Sequence, residues 1–293
     1  MQDTDIDRIV ETIAARVRER LDAAGCTDAC DASALDCTAC GDCLSRREED
    51  ARTMLSIGAV RLSAGPNPGP VASDLAGYID HTLLKPEATK EQLRTICEEA
   101  RRYGFRTVCV NSANVRFCKG LLAGSAVKVV AVIGFPLGAM STASKVFETR
   151  EAVRDGAEEI DMVMNIGKLK SGDYDCVLED IRKVVEAARP KPVKVILETG
   201  GLDTHEKIIS SALSKTAGAA FVKTSTGFGP GGATAEDVAL MKQVVGPGVE
   251  VKASGGIRDE QTARKMIAAG ATRLGVSASI AIVTGKDAGK GKY

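Results

Sequence analysis

The sequence predicts a (β/α)8 barrel, in which eight parallel strands close into a ring and each strand is followed by a helix. From residue 72 onward, eight short apolar runs alternate with segments whose apolar residues recur at helical spacing. Eight such pairs within roughly 210 residues match the size of this barrel. Aromatic residues are only 3% of a sequence that is 44% hydrophobic, so the core must consist mainly of Val, Ile, Leu and Ala, as in buried parallel sheets.

An open, doubly wound sheet is the alternative, because alternating strands and helices do not show by themselves that a sheet closes. The first predicted strand is not followed by the G-x-G-x-x-G motif of doubly wound dinucleotide-binding folds. This absence and the count of eight favour the closed barrel.

The predicted strands are short runs rich in β-branched and other apolar residues. In chain order they are GYIDHTLL (77–84), TVCV (107–110), VKVVAVIGF (127–135), EIDMVMN (159–165), VKVILET (193–199), AAFVKTS (219–225), VEVKASGG (249–256) and TRLGVSA (272–278).

The segments between the strands have the pattern of amphipathic helices. Three examples are TKEQLRTICEEARRYG (89–104), ASKVFETREAVRDGA (143–157) and TARKMIAAGA (262–271). A glycine at or near the end of each segment is typical of a helix stop, because glycine readily adopts the left-handed conformation found there. These helices supply the connections that parallel strands require.

The first 70 residues are predicted to form a separate extension. Residues 5–22 place apolar side chains on one helical face and Arg and Glu on the other, and a cysteine-rich segment follows at 26–43. The stretch 63–70, SAGPNPGP, contains three prolines and two glycines and is typical of a linker. We therefore predict an extension over 1–70 and a barrel over 71–293.

Composition excludes several classes of function. Lys plus Arg and Asp plus Glu number 39 each, so the formal net charge is zero and no nucleic-acid partner is indicated. No stretch reaches the roughly 18 apolar residues of a membrane span. The acidic start MQDTDID lacks the pattern of a secretory signal. We therefore expect a cytoplasmic protein with reduced thiols.

Two lysines near the ends of adjacent predicted strands are the strongest chemical signal. Lys223 ends the apolar run of the sixth strand, and Lys252 lies in that of the seventh. Burial and a neighbouring cation both lower the pKa of a lysine, which makes its amine nucleophilic near neutral pH. The alternative is that both side chains extend to solvent from the strand ends.

Two carboxylates lie in other strands of the predicted barrel. Asp161 in the fourth strand suits a general base beside the lysines; the alternative is a salt-bridge partner of one of them, and both can hold, with its strand-end position favouring catalysis. Asp80, in the first strand, could support that role or organise the loop after its strand.

Seven motifs in this part of the chain together resemble the deoxyribose-phosphate aldolase family. In chain order they are IDHTLLKP, VCVN, VIGFPLG, DGAEEIDMVMNIG, KVILETG, FVKTSTGF and VKASGGIR, between residues 72 and 285. The resemblance implies reversible cleavage of 2-deoxy-D-ribose 5-phosphate to acetaldehyde and D-glyceraldehyde 3-phosphate without a metal or other cofactor. It further implies that Lys223 forms the Schiff base, Lys252 lowers the pKa of Lys223, Asp161 transfers protons with a water, and Asp80 supports that relay.

The resemblance also implies a phosphate site after strands seven and eight, where barrels commonly bind phosphate with backbone N–H groups. Its residues are Gly255, Gly256, Gly275 and Ser277, and Gly227 after the sixth strand could add another amide. The alternative is that these glycines only allow tight turns. The family usually has two adjacent serines after the last strand, whereas this chain has Ser277-Ala278-Ser279, so one hydroxyl is missing. The terminal Tyr293 is either a residue that closes over the site or the end of a disordered tail.

The cysteine-rich segment suggests metal binding. Its five cysteines are Cys26, Cys30, Cys37, Cys40 and Cys43. Their spacing suits an iron–sulfur cluster or a tetrahedral zinc site, with redox-active or unstructured cysteines as the alternative. The only two histidines, His81 and His205, lack the paired spacing of metal ligands and so do not indicate a metal-dependent aldolase.

The partners that the sequence suggests are a phosphorylated sugar, a second copy of the chain and a shell protein. The helix at 5–22 with its flexible link resembles the encapsulation peptides that direct enzymes into bacterial microcompartments. An oligomerisation or docking helix is the alternative. A homodimer is expected from family habit. The rival functions are a Schiff-base aldolase for another phosphorylated aldehyde and a non-catalytic metal-binding or scaffold barrel.

Overall fold

A computed structural model describes residues 74–285 of the chain. The predicted helix at 5–22, the five cysteines, the linker at 63–70, the boundary at 70/71 and Tyr293 lie outside the described residues. Within 74–285, no helix is long and apolar enough to cross a membrane.

The described residues form a closed barrel of eight parallel strands in the order β1 to β8. The strands are β1 (Ile79–Leu83), β2 (Thr107–Asn111), β3 (Lys128–Ile133), β4 (Glu159–Val163), β5 (Val193–Ile196), β6 (Phe221–Lys223), β7 (Glu250–Ser254) and β8 (Arg273–Val276). Strand β1 pairs with β8, with Asp80 opposite Gly275, so the sheet has no free edge. The predicted (β/α)8 barrel is confirmed, and the doubly wound alternative is wrong because an open sheet lacks this pairing.

Helices connect the strands on the outside of the barrel. They are α1 (Lys90–Tyr103), α2 (Val115–Leu121), α3 (Thr142–Arg154), α4 (Ile166–Lys170), α5 (Tyr174–Ala188), α6 (Thr204–Thr216), α7 (Ala235–Val245), α8 (Glu260–Ala268) and α9 (Ser279–Thr284). Short 3-10 helices occur at Ala76–Tyr78, Ser112–Asn114 and Thr199–Gly201. The first of these replaces the start of the predicted first strand.

Local sequence signals determine where helix α1 begins and ends. At its start the Thr89 hydroxyl accepts a hydrogen bond from the Gln92 N–H, and the Gln92 side chain accepts one from the Thr89 N–H. At its end Gly104 adopts a left-handed conformation with φ of 68°. The predicted glycine stop is therefore confirmed at this helix.

The interior of the barrel has two chemically different halves. Cys109, Val130 and Val132, from β2 and β3, form a small apolar cluster with Leu84. This cluster is separate from the main core, which packs between the sheet and the helices. Charged side chains fill the other half of the interior, and they form the candidate active site.

Candidate active site

Lys223 and Lys252 lie side by side, because their residues are paired in the register of β6 and β7. The Lys223 side chain is only 3% exposed and that of Lys252 is fully buried. Both lysines point into the barrel, so the alternative in which they extend to solvent is wrong. Buried ammonium groups require partners, which carboxylates from other strands supply.

Asp161 accepts hydrogen bonds from three lysines. Its Oδ2 atom lies 2.7 Å from the Nζ atoms of both Lys223 and Lys252, and its Oδ1 atom lies 2.9 Å from Nζ of Lys194. Because one oxygen contacts both amines of the candidate pair, a proton moved from either amine has a carboxylate acceptor within hydrogen-bond reach. Asp161 is thus a salt-bridge partner and is also placed for proton transfer.

Asp80 also faces the barrel interior. Its Oδ2 atom accepts a hydrogen bond of 2.5 Å from Lys252, and its Oδ1 atom accepts one of 2.8 Å from Arg273. Next along β1, His81 contacts Ser279 and Glu99 instead, both at 2.7 Å. The Asp80 carboxylate therefore contacts Lys252 and Arg273 inside the barrel, whereas the neighbouring Thr82 hydroxyl bonds to the backbone oxygen of Asp80.

Three further charged residues complete the cluster and were missed from the sequence. Lys194 Nζ lies 2.6 Å from Glu159 Oε2, and an Arg273 guanidinium nitrogen lies 2.9 Å from the same oxygen. The available signal was spacing: Glu159 and Asp161 are two residues apart on β4, so their side chains face the same side of the strand. Charged residues at alternate positions of an apolar strand indicate a polar interior face.

The electrostatics distinguish Lys223 from the other lysines. Burial, together with the positive charge of Lys252, lowers the pKa of Lys223 although Asp161 opposes this shift. Burial also acts to lower the pKa of Lys252, but the carboxylates of Asp161 and Asp80 outweigh it and the net shift is upward. The pKa of Asp161 lies well below its usual value because the three nearby lysines outweigh its burial. Lys223 is therefore the amine best suited to act as a nucleophile.

The predicted phosphate residues occupy the ends of β6, β7 and β8. Gly227, Gly255 and Gly256 have φ angles of 85°, 85° and 79°, so the left-handed backbone requires glycine at each of them. Ser277 follows β8 and is exposed. The turns explain these three glycines, and the same turns leave backbone N–H groups near one rim of the barrel.

Gly275 has an additional structural role within β8. A Cβ atom placed on Gly275 would lie 2.9 Å from Cε of Lys252 and 3.0 Å from Cβ of Ser254. A larger residue would therefore displace the lysine that supports Lys223. This role was not anticipated from the sequence.

Glu198 connects the loops that follow β5 and β6. It is the one described non-glycine residue with a positive φ, 59°, and its carboxylate accepts hydrogen bonds from the N–H and hydroxyl of Thr226. The Thr226 hydroxyl oxygen in turn accepts hydrogen bonds from the N–H groups of Phe228 and Gly229 at 3.0 and 3.2 Å. A left-handed glutamate costs about 1–3 kcal/mol, which this buried network must offset. No sequence signal marked this residue.

Within residues 74–285, no group of three or more His, Cys, Asp or Glu side chains is arranged to hold a metal.

Comparison with known proteins identifies relatives of the whole barrel. The family of DeoC/LacD family aldolases matches residues 75–286. A protein from Staphylococcus aureus (strain MRSA252) named deoxyribose-phosphate aldolase 1 is 58% identical over 211 residues, which cover 72% of this chain and 96% of the relative.

Solved structures of similar proteins agree with this relationship. A putative deoxyribose-phosphate aldolase from Coccidioides immitis is 43% identical with a TM-score of 0.72, covering 81% of this chain and 96% of the other. The deoxyribose phosphate aldolase from Aeropyrum pernix, described as a unique tetrameric structure, is 34% identical with a TM-score of 0.69 and covers 80% and 97% of the two chains.

Proposed function

This chain belongs to the family of DeoC/LacD aldolases, and from that premise we propose that it reversibly cleaves 2-deoxy-D-ribose 5-phosphate to acetaldehyde and D-glyceraldehyde 3-phosphate. The observation that carries the proposal is the buried pair Lys223 and Lys252, both bonded to one oxygen of Asp161. This arrangement supports a Schiff-base mechanism with Lys223 as the nucleophile.

The cleavage begins when the neutral Nζ of Lys223 attacks the C1 aldehyde of the open-chain sugar. Loss of water from the resulting carbinolamine gives an iminium. A base takes the proton of the C3 hydroxyl, the C2–C3 bond breaks, and its electron pair moves into the iminium to form an enamine. D-Glyceraldehyde 3-phosphate leaves at this step. Protonation of the enamine at C2 and hydrolysis then release acetaldehyde and restore the free amine. Because the iminium accepts the electrons, this chemistry needs no cofactor.

Asp161 is the acceptor for the C3 hydroxyl proton in this proposal, acting directly or through a water. Its ionised state is supported by three lysines, and its contact with both Lys223 and Lys252 places it between the amine and the supporting cation. Lys252 keeps Lys223 neutral by its charge, and Asp80 holds Lys252 in place.

The pH dependence of imine formation should report the pKa of Lys223. Only the neutral amine attacks a carbonyl, so the rate should rise with pH until Lys223 is deprotonated. Because the pKa of Lys223 is lowered from 10.5, this rising limb of the pH–rate profile should lie below pH 10.5. Lys252→Met removes a cation that lowers this pKa, so the limb should move to higher pH by about one unit or more. The measurement is the rate of cyanoborohydride trapping of acetaldehyde on Lys223 from pH 5 to 10. A limb that stays in place in Lys252→Met would contradict the assigned role of Lys252.

The phosphate group is proposed to bind at Gly227, Gly255, Gly256, Gly275 and Ser277. The positive-φ turns after β6 and β7 and the exposed Ser277 after β8 support this placement, because their backbone N–H groups and hydroxyl lie on the rim where the three strands end.

Substitution at Ser277 tests the phosphate site. Ser277→Ala should raise the KM for 2-deoxy-D-ribose 5-phosphate by about tenfold, since a hydrogen bond to a charged group contributes about 1.5–3 kcal/mol. Ala278→Ser restores the second hydroxyl typical of the family and should lower that KM. Unphosphorylated 2-deoxyribose is the control substrate, and its kinetic constants should not change in either variant. Equal effects on both substrates would argue against a phosphate contact.

A substrate panel separates the proposed reaction from its rivals. Purified full-length protein should release acetaldehyde and D-glyceraldehyde 3-phosphate in equal amounts from the deoxyribose phosphate, and should make it from them in reverse. Preference for another phosphorylated aldehyde as acceptor would favour the related Schiff-base aldolase. Absence of turnover with every acceptor would favour the scaffold function.

For the cysteine-rich extension we propose metal binding, on the spacing of Cys37, Cys40 and Cys43 with Cys26 or Cys30 as a fourth ligand. Metal analysis and absorption spectra of anaerobically purified protein would identify zinc or an iron–sulfur cluster. Cys40→Ser should lower the metal content, and aldolase activity should not change.

For the helix at 5–22 we propose delivery of the enzyme to a bacterial microcompartment shell, which would retain the volatile acetaldehyde. Deletion of residues 1–25 should abolish co-sedimentation with shell particles; unchanged association would contradict this role.

Self-association through the barrel is a separate proposal. We expect a homo-oligomer. Light scattering would distinguish the expected dimer from a tetramer, the assembly described for the Aeropyrum pernix enzyme.

A further inference from the structure

The charges inside the barrel do not balance when every group is ionised in its usual form. The buried cations are Lys194, Lys223, Lys252 and Arg273, and the buried carboxylates are Asp80, Glu159 and Asp161. Four positive charges less three negative charges leave one net positive charge in this cluster.

The other charged groups close to these strands do not compensate this charge. Lys128, at the start of β3, is partly exposed and is itself a cation. The Glu198 carboxylate after β5 is bonded to Thr226 and forms no ion pair with the lysines of the cluster. Strand β3 presents Val130 and Val132, and β2 presents Cys109. Burial raises the pKa of the Cys109 thiol to about 11, so it is neutral at physiological pH. An uncompensated charge in a dry interior is costly, and loss of one proton from the cluster removes it.

The contacts determine which group loses that proton. Arginine does not deprotonate in proteins. Lys252 bonds to two carboxylates, Asp80 and Asp161, and Lys194 also bonds to two, Glu159 and Asp161. Lys223 bonds to Asp161 alone, and shares it. The proton is therefore least stabilised on Lys223, which agrees with the lowered pKa of Lys223 and the raised pKa values of Lys194 and Lys252.

We propose that Arg273 and Glu159 are positioning residues for the aldol reaction. Their opposite charges set the charge balance of the cluster, and this balance leaves Lys223 as the neutral amine. Both lie at the end of the barrel away from the substrate. Both are the first residues of their strands, β8 and β4, whereas Lys223 is the last residue of β6. Arg273 acts through Asp80 and Glu159, to which it donates hydrogen bonds at 2.8 and 2.9 Å. Glu159 acts through Lys194, 2.6 Å away.

The Phe221 ring packs against two of the cations in this part of the barrel. The Arg273 guanidinium lies 5.3 Å from the centre of the Phe221 ring, and Lys194 Nζ lies 5.5 Å from it. Phe221 is two residues before Lys223 on β6, so side-chain alternation places both on the inner face. The ring therefore packs against Arg273 and Lys194 one inner-face position before Lys223. Arg273 and Glu159 do not contact Lys223, and their charges are linked to it through Asp80, Lys194 and Asp161.

Two variants with opposite charge changes test this inference, which rests on the proposed Schiff-base function. Glu159→Gln raises the net charge of the cluster and should move the pH limb of imine formation on Lys223 to lower pH. Arg273→Met removes the excess positive charge and should move the limb to higher pH. Each shift should be about one unit, as for other charges near a titrating group. The double variant Glu159→Gln/Arg273→Met keeps the wild-type net charge and should restore the limb, as should Arg273→Lys.

The readout is the rate of cyanoborohydride trapping of acetaldehyde on Lys223 against pH, quantified by peptide mass, which requires no turnover. Asp180→Asn is the matched control. It breaks a buried ion pair of 2.6 Å with Lys145, between α3 and α5, and should lower stability without moving the limb. If Arg273→Met does not fold, Glu159→Gln, in which the amide keeps the shape of the carboxylate, still decides the outcome.

Limbs that do not move in correctly folded variants, or that move in the same direction, would overturn the inference. If the wild-type protein itself traps no acetaldehyde on Lys223 at any pH, the proposed function fails instead. The two failures are therefore distinguishable.

Discussion

Lys223→Ala is expected to lower kcat/KM for 2-deoxy-D-ribose 5-phosphate by roughly 10^4-fold or more, because loss of a covalent nucleophile removes the whole reaction path. Neither Lys194 nor Lys252 can take over its role. Each is bonded to two carboxylates and has a raised pKa, so each remains a charged ammonium that cannot attack a carbonyl.

Borohydride trapping with acetaldehyde identifies the amine directly. Reduction of the imine leaves an ethyl group on the lysine nitrogen, and peptide mass mapping should place this group on Lys223 in the wild-type protein and find none in the variant. Lys183→Ala, which removes a half-exposed lysine on α5, is the control and should retain the adduct. An adduct on Lys252 in the wild type would reassign the nucleophile, and no adduct on folded protein would remove the aldolase function.

Asp161→Asn is expected to separate imine formation from carbon–carbon cleavage. Asp161 raises the pKa of Lys223, so its neutralisation should lower that pKa further and leave acetaldehyde trapping intact. Cleavage needs a base for the C3 hydroxyl, and loss of a general base lowers kcat by about 10^2 to 10^4-fold. The variant should therefore form the adduct at near the wild-type rate and turn over slowly.

The same substitution should also destabilise the fold, because it leaves three buried cations with one fewer anion. Breaking a buried ion pair typically costs about 3–5 kcal/mol, measurable by urea denaturation. Asp155→Asn, which removes an exposed ion pair with Arg116, is the matched control and should change stability by less than about 1 kcal/mol. Wild-type turnover in Asp161→Asn would show that another group is the base.

The fold could be predicted from the sequence because its signals are local. Apolar periodicity, glycine stops and the count of eight strands each depend on a few neighbouring residues, and the barrel confirmed them. Lys223 and Lys252 were recognisable for a related reason, since a charged residue in an apolar strand run is conspicuous without knowledge of its neighbours.

The partners of those lysines could not be predicted in the same way. Glu159 and Arg273 are the first residues of their strands and Lys194 is the second, and at these positions a charged residue usually marks the start of a strand. Glu198 lies in a loop whose left-handed backbone has no glycine to mark it. In both cases the determining contact joins residues far apart in the chain.

The sequence by itself determined that eight strand–helix units form, that two lysines enter the barrel near its reacting end, and that the family is that of an aldolase. Only the tertiary structure decided which carboxylate meets which amine. Asp161 is separated from Lys223 by 62 positions and from Lys252 by 91, and Asp80 is separated from Lys252 by 172. Closure of the sheet brings these strands around one interior, where low polarity strengthens each charge interaction. The proposed reactivity of Lys223 thus depends on the sum of charges from five other strands, which no local pattern contains.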